Sequence, residues 1–217
     1  MIFEWTGSTA PWRAEQERVR HLTRVAPLTP LPRFVAGADC AFSSDKTTIR
    51  AAAVVYDRES GCVVEDVAIE QPCGVPYVPT FLSFREAPAI VAVIAQLKHA
   101  FGAILFDGQG LAHPRRCGLA THVGVLLDVP SVGVAKSRLI GDFDDVPLAA
   151  GSHVPLTHKG ESVGVVYRSK ERTLPLFVSV GHRVDLPSAI ALVQACQTKY
   201  RLPEPTRLAD KLSKFAR

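Results

Sequence analysis

The chain contains no Cys-x-x-Cys pair, no apolar run long enough to span a bilayer, no internal repeat and no low-complexity tract. Each absence excludes something. Five cysteines, an odd number, at Cys40, Cys62, Cys73, Cys117 and Cys196 give neither a disulfide framework nor a zinc-ligand spacing. Cys40, Cys117 and Cys196 lie in apolar segments and are expected to be buried thiols in a reducing compartment. The beginning, MIFEWTGSTAPWRAEQERV, has no basic leader and no apolar core, so no signal peptide is expected. A cytoplasmic protein with no membrane association is the default. A Gly-x-Gly occurs at Gly108 and Gly110, but the third glycine of a dinucleotide-binding loop is missing. His113 stands in its place, followed by Pro114. The acids Asp142, Asp144 and Asp145 lack the glycine and distal glutamate of a calcium loop, and are read as part of a solvated loop over Gly141 to Pro155.

What remains is an ordinary globular composition: 217 residues, 47% hydrophobic, 21% charged, net charge +4. One domain over residues 1–217 is expected, with enough length to bury a core without staples. The mild basicity permits an anionic partner without requiring one.

Hydrophobic periodicity gives the elements. Pro11 to Arg24 reads as an amphipathic helix, and Pro27, Pro30 and Pro32 as a stiff linker. Phe34–Phe42, Ile49–Tyr56 and Cys62–Ile69 read as an antiparallel three-strand meander. Gln71–Thr80 is an irregular loop carrying Tyr77 between Pro76 and Pro79. Phe81–Phe101 is a helix with Glu86 in its first turn. Ala103–Phe106 and Ser131–Ala135 are buried strands around a helix from about Cys117 to Leu127. Ser162–Tyr167 and Leu176–Val180 are strands, Gly181–Arg183 a loop, and Leu186 to about Tyr200 a helix. The basic tail from Arg201 to Arg217 ends in a short helix carrying Asp210. The fold class is α/β, a central mixed sheet flanked by helices.

The polar residues with chemistry recur at strand ends and helix starts. Asp39 interrupts an apolar strand, where a carboxylate is costly unless paired or bound to a cation. It is either a salt-bridged structural acid or a site residue. Asp107 follows a buried strand and is either a helix or turn cap or a site acid. Glu86 fits a helix-dipole role equally with a site role. Tyr77 is either a packed connector residue or an exposed functional one. If the first strand pairs in parallel with the strand ending at Asp107, Asp39 and Asp107 come side by side. The helix carrying Glu86 then enters the same edge, and Asp210 can join it. Clustered carboxylates repel one another and make sense around a cation; oxygen-only ligands suit Mg²⁺ or Mn²⁺. His113 and Lys136 could then contact a scissile phosphate, and Arg115, Arg116 and the basic tail its neighbours. The chemistry is metal-dependent phosphodiester hydrolysis. A non-catalytic module binding altered nucleic acid and, more distantly, a nicotinamide-dependent enzyme are the alternatives.

Three long segments carry a resemblance to a known family: PYVPTFLSFRE (76–86), DGQGLAHPRRCGLATHVGVLLDVPSVGVAKSRL (107–139) and RLPEPTRLAD (201–210), with GADCAF and LFVSVGHRV beside them. They resemble the signature segments of endonuclease V, the deoxyinosine 3′ endonuclease. The resemblance implies an RNase H-like fold and Mg²⁺-dependent cleavage of deoxyinosine-containing DNA at the second phosphodiester bond 3′ to the lesion. The cut leaves 3′-hydroxyl and 5′-phosphate ends; Mn²⁺ is expected to substitute, and inosine-containing RNA is the alternative substrate. The protein is expected to act as a monomer. By the same resemblance Asp39 and Asp107 hold the metal, and Glu86, His113, Lys136 and Asp210 complete the catalytic set. Tyr77 is the wedge that fills the gap left by an extruded base. Leu82, Gly108 and Gly118 form the base pocket, and Arg115 and Arg116 bind substrate phosphates. The family often carries Gly at Thr80 and His at Gln109, so this chain differs at both.

Overall fold

The structure, a computed structural model, describes residues 4–214; the first three residues of the N-terminal segment and the last three of the basic tail lie outside the described residues. Eight strands form one mixed sheet in the order β3-β2-β1-β4-β5-β8-β7-β6. The meander is β1 (Phe34–Phe42), β2 (Thr48–Asp57) and β3 (Cys62–Pro72), antiparallel throughout. Then β4 (Ala103–Phe106) pairs in parallel with β1, and β5 (Ser131–Ala135) in parallel with β4. The remaining strands, β6 (His153–His158), β7 (Glu161–Tyr167) and β8 (Leu176–His182), complete the sheet in antiparallel pairs. Helices α1 (Ala10–Leu22), α2 (Leu82–Ile94), α3 (Leu119–Leu127), α4 (Leu186–Ala195) and α5 (Glu204–Ser213) flank it.

The two-residue period of the strands divides the core in two. Val35, Leu105, Val132 and Val178 pack under Leu192 and Val193 of α4. Ala36, Ala38, Ile104 and Phe106 pack on the opposite face under Ile90 of α2 and Val123 of α3. Helix α5 covers β1 and β2 on the face of Val35. It sits close because Gly37 has no side chain: a Cβ there would stand 2.1 Å from the Pro205 carbonyl oxygen.

Several boundaries differ from the sequence expectation. Helix α2 stops at Ile94 rather than running to Phe101. The carboxylate of Glu65, on β3, accepts the backbone N–H groups of Lys98 and His99 at 3.0 and 2.7 Å and draws the chain out of the helix. Because α2 begins at Leu82, Glu86 is its fifth residue and lies beyond the first turn, and Pro88 is interior. Strand β6 begins inside the stretch expected to be loop; its Pro155 is tolerated because β6 is an edge strand. Strand β8 continues through Gly181 and His182, and α4 ends at Ala195. Cys117 and Cys196 are buried as expected, but Cys40 is only half-buried; all five thiols are free. Among the described residues no helix is long and apolar enough to cross a membrane.

Candidate active site

The parallel register of β1 and β4 builds the site. Their last paired residues are Ala38 and Phe106, so Asp39 and Asp107 emerge next to each other from neighbouring strand ends. The close approach at Gly37 seats α5 over β1, and Asp210, five residues after Pro205, arrives from that helix. Carboxylate oxygens of Asp39, Asp107 and Asp210 lie within 4.8 Å of one another. Lys136, one residue past the end of β5, reaches between two of them: its Nζ contacts Asp107 Oδ2 and lies 2.8 Å from Asp210 Oδ1. Lys214 pairs with the other Asp210 oxygen at 2.6 Å, and the Ser213 hydroxyl stands 3.4 Å from Asp39. Arg201 donates to the carbonyls of Lys136, Leu174 and Pro175 and so ties the end of β5 to the start of β8.

The electrostatics are those of crowded acids. Burial, then the Asp107 charge, pushes the Asp39 carboxyl up to about 7. Glu86 is buried on α2; desolvation, then the charges of Asp39 and Asp107, push it up to about 8. Burial also raises Asp107, against the pull of Lys136. Asp210 is held below its usual range: burial opposes this, but Lys136 and Lys214 outweigh it. Lys136 is raised, because its two carboxylate partners outweigh its own desolvation. A half-buried group of three oxygen donors, with neighbours that resist ionising in each other's presence, fits a hard divalent cation. Asp39, Asp107 and Asp210 are the residues able to hold it.

Beside the acids opens a pocket of about 370 Å³ lined by Tyr77, Thr80, Leu82, Gly108, Gly118 and Lys136 among others. Tyr77 stands at its rim, 62% exposed, and is not packed on the core. Gly118 is required by space: a Cβ there would lie 2.2 Å from the Gln109 carbonyl oxygen. Gln109, buried, donates to the Ser137 carbonyl at 2.9 Å and ties the loop after β4 to the loop after β5. His113 also lines the pocket, but both ring nitrogens are engaged. Nε2 is 2.9 Å from the Thr80 carbonyl, which can only accept, so the proton sits on Nε2; Nδ1 accepts from the Arg115 backbone N–H at 3.2 Å. Burial and the nearby arginines hold its pKa down at about 4, so the ring is neutral. Arg115 turns inward onto the Thr80 carbonyl and hydroxyl and over the Phe81 ring at 4.3 Å. Arg116 pairs with Glu161 at 2.8 Å and donates to the His158 carbonyl on the β6–β7 hairpin.

Sequence reasoning brought Asp39, Glu86, Asp107, Lys136 and Asp210 to one place. It missed Gln16, and it placed Arg201 and Lys214 only within a phosphate-facing basic tail, whereas they bind the Lys136 carbonyl and Asp210. Gln16 had a signal: a glutamine on the same helical face as Trp12 and Val19, and hence buried with a need for partners.

A mixed sheet that opens with an antiparallel meander, continues in parallel, and gathers carboxylates at adjacent parallel strand ends defines an RNase H-like nuclease of the α/β class. The comparisons agree. The endonuclease V family model matches residues 16–211. The endonuclease V of Nostoc punctiforme is 49% identical over 181 residues, covering 83% of this chain and 82% of that protein. The crystal structure of the Streptomyces avermitilis endonuclease V superposes with a TM-score of 0.90 at 40% identity, over 95% of this chain and 91% of that one. That of Ciona intestinalis endonuclease V, in complex with a 24mer DNA containing an inosine followed by a ribo-adenosine, superposes with a TM-score of 0.83 at 29% identity, over 94% and 95%. The chain belongs to the endonuclease V family.

Proposed function

We propose that this chain is a DNA-repair endonuclease that recognises deoxyinosine and hydrolyses the second phosphodiester bond on its 3′ side, with Mg²⁺ as cofactor and Mn²⁺ as a substitute. It works as one domain and as a monomer. The observation that carries the reading is the juxtaposition of the Asp39–Asp107–Asp210 cluster with a base-sized pocket whose rim bears an exposed tyrosine. The DNA bound by the Ciona relative contains inosine, which supports the same substrate here.

The residues divide the work. Tyr77 occupies the gap left in the duplex, and extrusion costs least where the base is already poorly paired. Leu82, Gly108 and Gly118 wall the pocket that receives the base. Asp39, Asp107 and Asp210 would hold the cation, which when bound would supply charge stabilisation and make an attacking water more acidic. Lys136, poised between Asp107 and Asp210, places its ammonium where negative charge develops on the phosphate. Glu86, protonated at neutral pH before a cation arrives, can give or take a proton at its carboxyl beside Asp39 and Asp107. Water adds to phosphorus, the bond to the 3′ oxygen breaks, that oxygen takes up a proton, and the phosphate stays on the 5′ end of the downstream fragment. Arg116, largely buried against the β6–β7 hairpin, is free to meet a neighbouring phosphate only once its pairing with Glu161 opens. Arg115 and His113 act on the pocket wall through Thr80.

An end-labelled duplex with one deoxyinosine tests this, with Mg²⁺ or EDTA, beside an undamaged duplex, an inosine-containing RNA and the Asp107→Ala protein. A Mg²⁺-dependent nick one nucleotide beyond the lesion, absent with Asp107→Ala, is the expected result. Binding without a nick would overturn the catalytic reading, and cleavage of the RNA alone would move the substrate.

A further inference from the structure

Thr80 holds a backbone conformation that a β-branched residue rarely adopts, φ +68°. Strain of this kind persists only where the surroundings over-determine it. Here three side chains converge on one oxygen. The Thr80 carbonyl accepts from Gln16 Nε2 at 2.9 Å, His113 Nε2 at 2.9 Å and Arg115 Nη2 at 3.0 Å. The Arg115 guanidinium also donates to the Thr80 hydroxyl at 2.5 Å, and its Nε to Gln16 Oε1. Gln16 is fully buried, and its amide donates further to the Cys117 carbonyl at 3.4 Å. Beneath them Trp12 stacks on Phe84, ring centroids 4.9 Å apart, and packs against Phe81. The first helix, which takes no part in the sheet, is thereby fastened to the loop that lies between Tyr77 and Leu82.

We infer that Gln16, His113 and Arg115 are positioning residues whose shared hold on the Thr80 carbonyl fixes the pocket wall, and that Thr80 sets how strictly the pocket discriminates between bases. The inference rests on the base-extruding reading above. A pocket rejects a wrong base by leaving its polar groups unpaired, and that penalty applies only while the wall cannot relax around the intruder. Three donors on one carbonyl, with a fourth bond to the hydroxyl, deny the loop that freedom. His113 contributes as a neutral ring with a fixed tautomer, which suits a latch.

The test is single-turnover cleavage of two duplexes, identical except for deoxyinosine or deoxyadenosine at one position, by wild-type protein, Gln16→Ala, Thr80→Gly and Thr80→Ser. Gln16→Ala loses a hydrogen bond that acts on binding geometry. It is expected to raise the half-saturating enzyme concentration on deoxyinosine about three- to tenfold, with the saturated rate within about twofold. Thr80→Gly removes both the strain and the hydroxyl bond, so the deoxyinosine to deoxyadenosine rate ratio falls roughly tenfold; Thr80→Ser, which keeps the hydroxyl, returns most of it. A Gln16→Ala protein whose half-saturating concentration, counted as active enzyme, matches the wild type overturns the positioning role. A Thr80→Gly protein with an unchanged ratio overturns the discrimination role even if Gln16→Ala fails to fold. If wild-type protein leaves deoxyinosine uncut, the proposed function itself fails and the inference falls with it.

Discussion

Replacing Asp39 by asparagine removes a charge that the cation-free fold tolerates badly, so Asp39→Asn is expected to be more stable than the wild type above neutral pH. Burial and the Asp107 charge take the carboxyl from 3.8 to about 7. One pKa unit is worth about 1.36 kcal/mol, so ionising Asp39 in the folded protein costs up to about 4 kcal/mol. Below pH 3.8 the group is protonated in folded and unfolded chains alike, and no penalty exists. Between pH 3.8 and about 7 the unfolded chain has lost the proton that the folded chain keeps. Stability therefore falls as pH rises and levels off above about 7. Asparagine keeps the shape and abolishes the penalty. A recovery of about 2–4 kcal/mol in a chain of this size raises Tm by roughly 4–16 °C at pH 8, and by nothing near pH 3.5. The assay is thermal unfolding in EDTA across that pH range, then with Mg²⁺ added. At a hundred times its Kd the cation stabilises the wild type by about 2.7 kcal/mol, and Asp39→Asn by much less. A variant no more stable than the wild type at pH 8 in EDTA, or stabilised equally by Mg²⁺, would refute both the crowding of the acids and their role as cation ligands.

Three further outcomes are expected. Gly37→Ala puts a Cβ 2.1 Å from the Pro205 carbonyl oxygen, pushes α5 outward by about an ångström and carries Asp210 with it; displacement on that scale costs roughly 10²-fold in cleavage rate, measurable at saturating substrate in protein that circular dichroism shows to be folded. Lys136→Met leaves Asp107 and Asp210 facing each other without their shared ammonium, and is expected to lower single-turnover cleavage about 10²-fold while lesion binding persists; near-normal turnover would remove Lys136 from the chemistry. Tyr77→Ala should leave Tm within about 1 °C, because the ring is exposed, and weaken binding to a deoxyinosine duplex about tenfold, the loss of roughly one stacking contact; a large drop in Tm with unchanged binding would make Tyr77 a packing residue.

Local pattern made much of this protein legible before its fold. The alternation in Phe34–Phe42 placed Asp39 on the same face as Val35 and Gly37, and the short apolar run before Asp107 identified a buried strand. With a meander followed by a crossover helix, parallel pairing of those two strands was the economical topology, and it sets the two acids side by side. Helix α2 and strand β6 show where local pattern stops. The end of α2 is decided by the Glu65 carboxylate, about thirty residues away in sequence, and β6 exists because an edge position tolerates Pro155. The surroundings of Glu86 and Tyr77 likewise appear only in three dimensions. Glu86 is buried in the second turn among like charges, where a helix-dipole role does not apply, and Tyr77 stands out of the core. Arg115 looked like a phosphate ligand in the run of basic residues, yet it turns inward to Gln16 and Thr80. By itself, then, the sequence determined most of the elements, the faces of the strands and the family, because these depend on residue type and short-range spacing. Only the tertiary structure decided which polar groups meet, since that depends on strand register and helix seating, and both are settled by contacts between residues far apart in the chain.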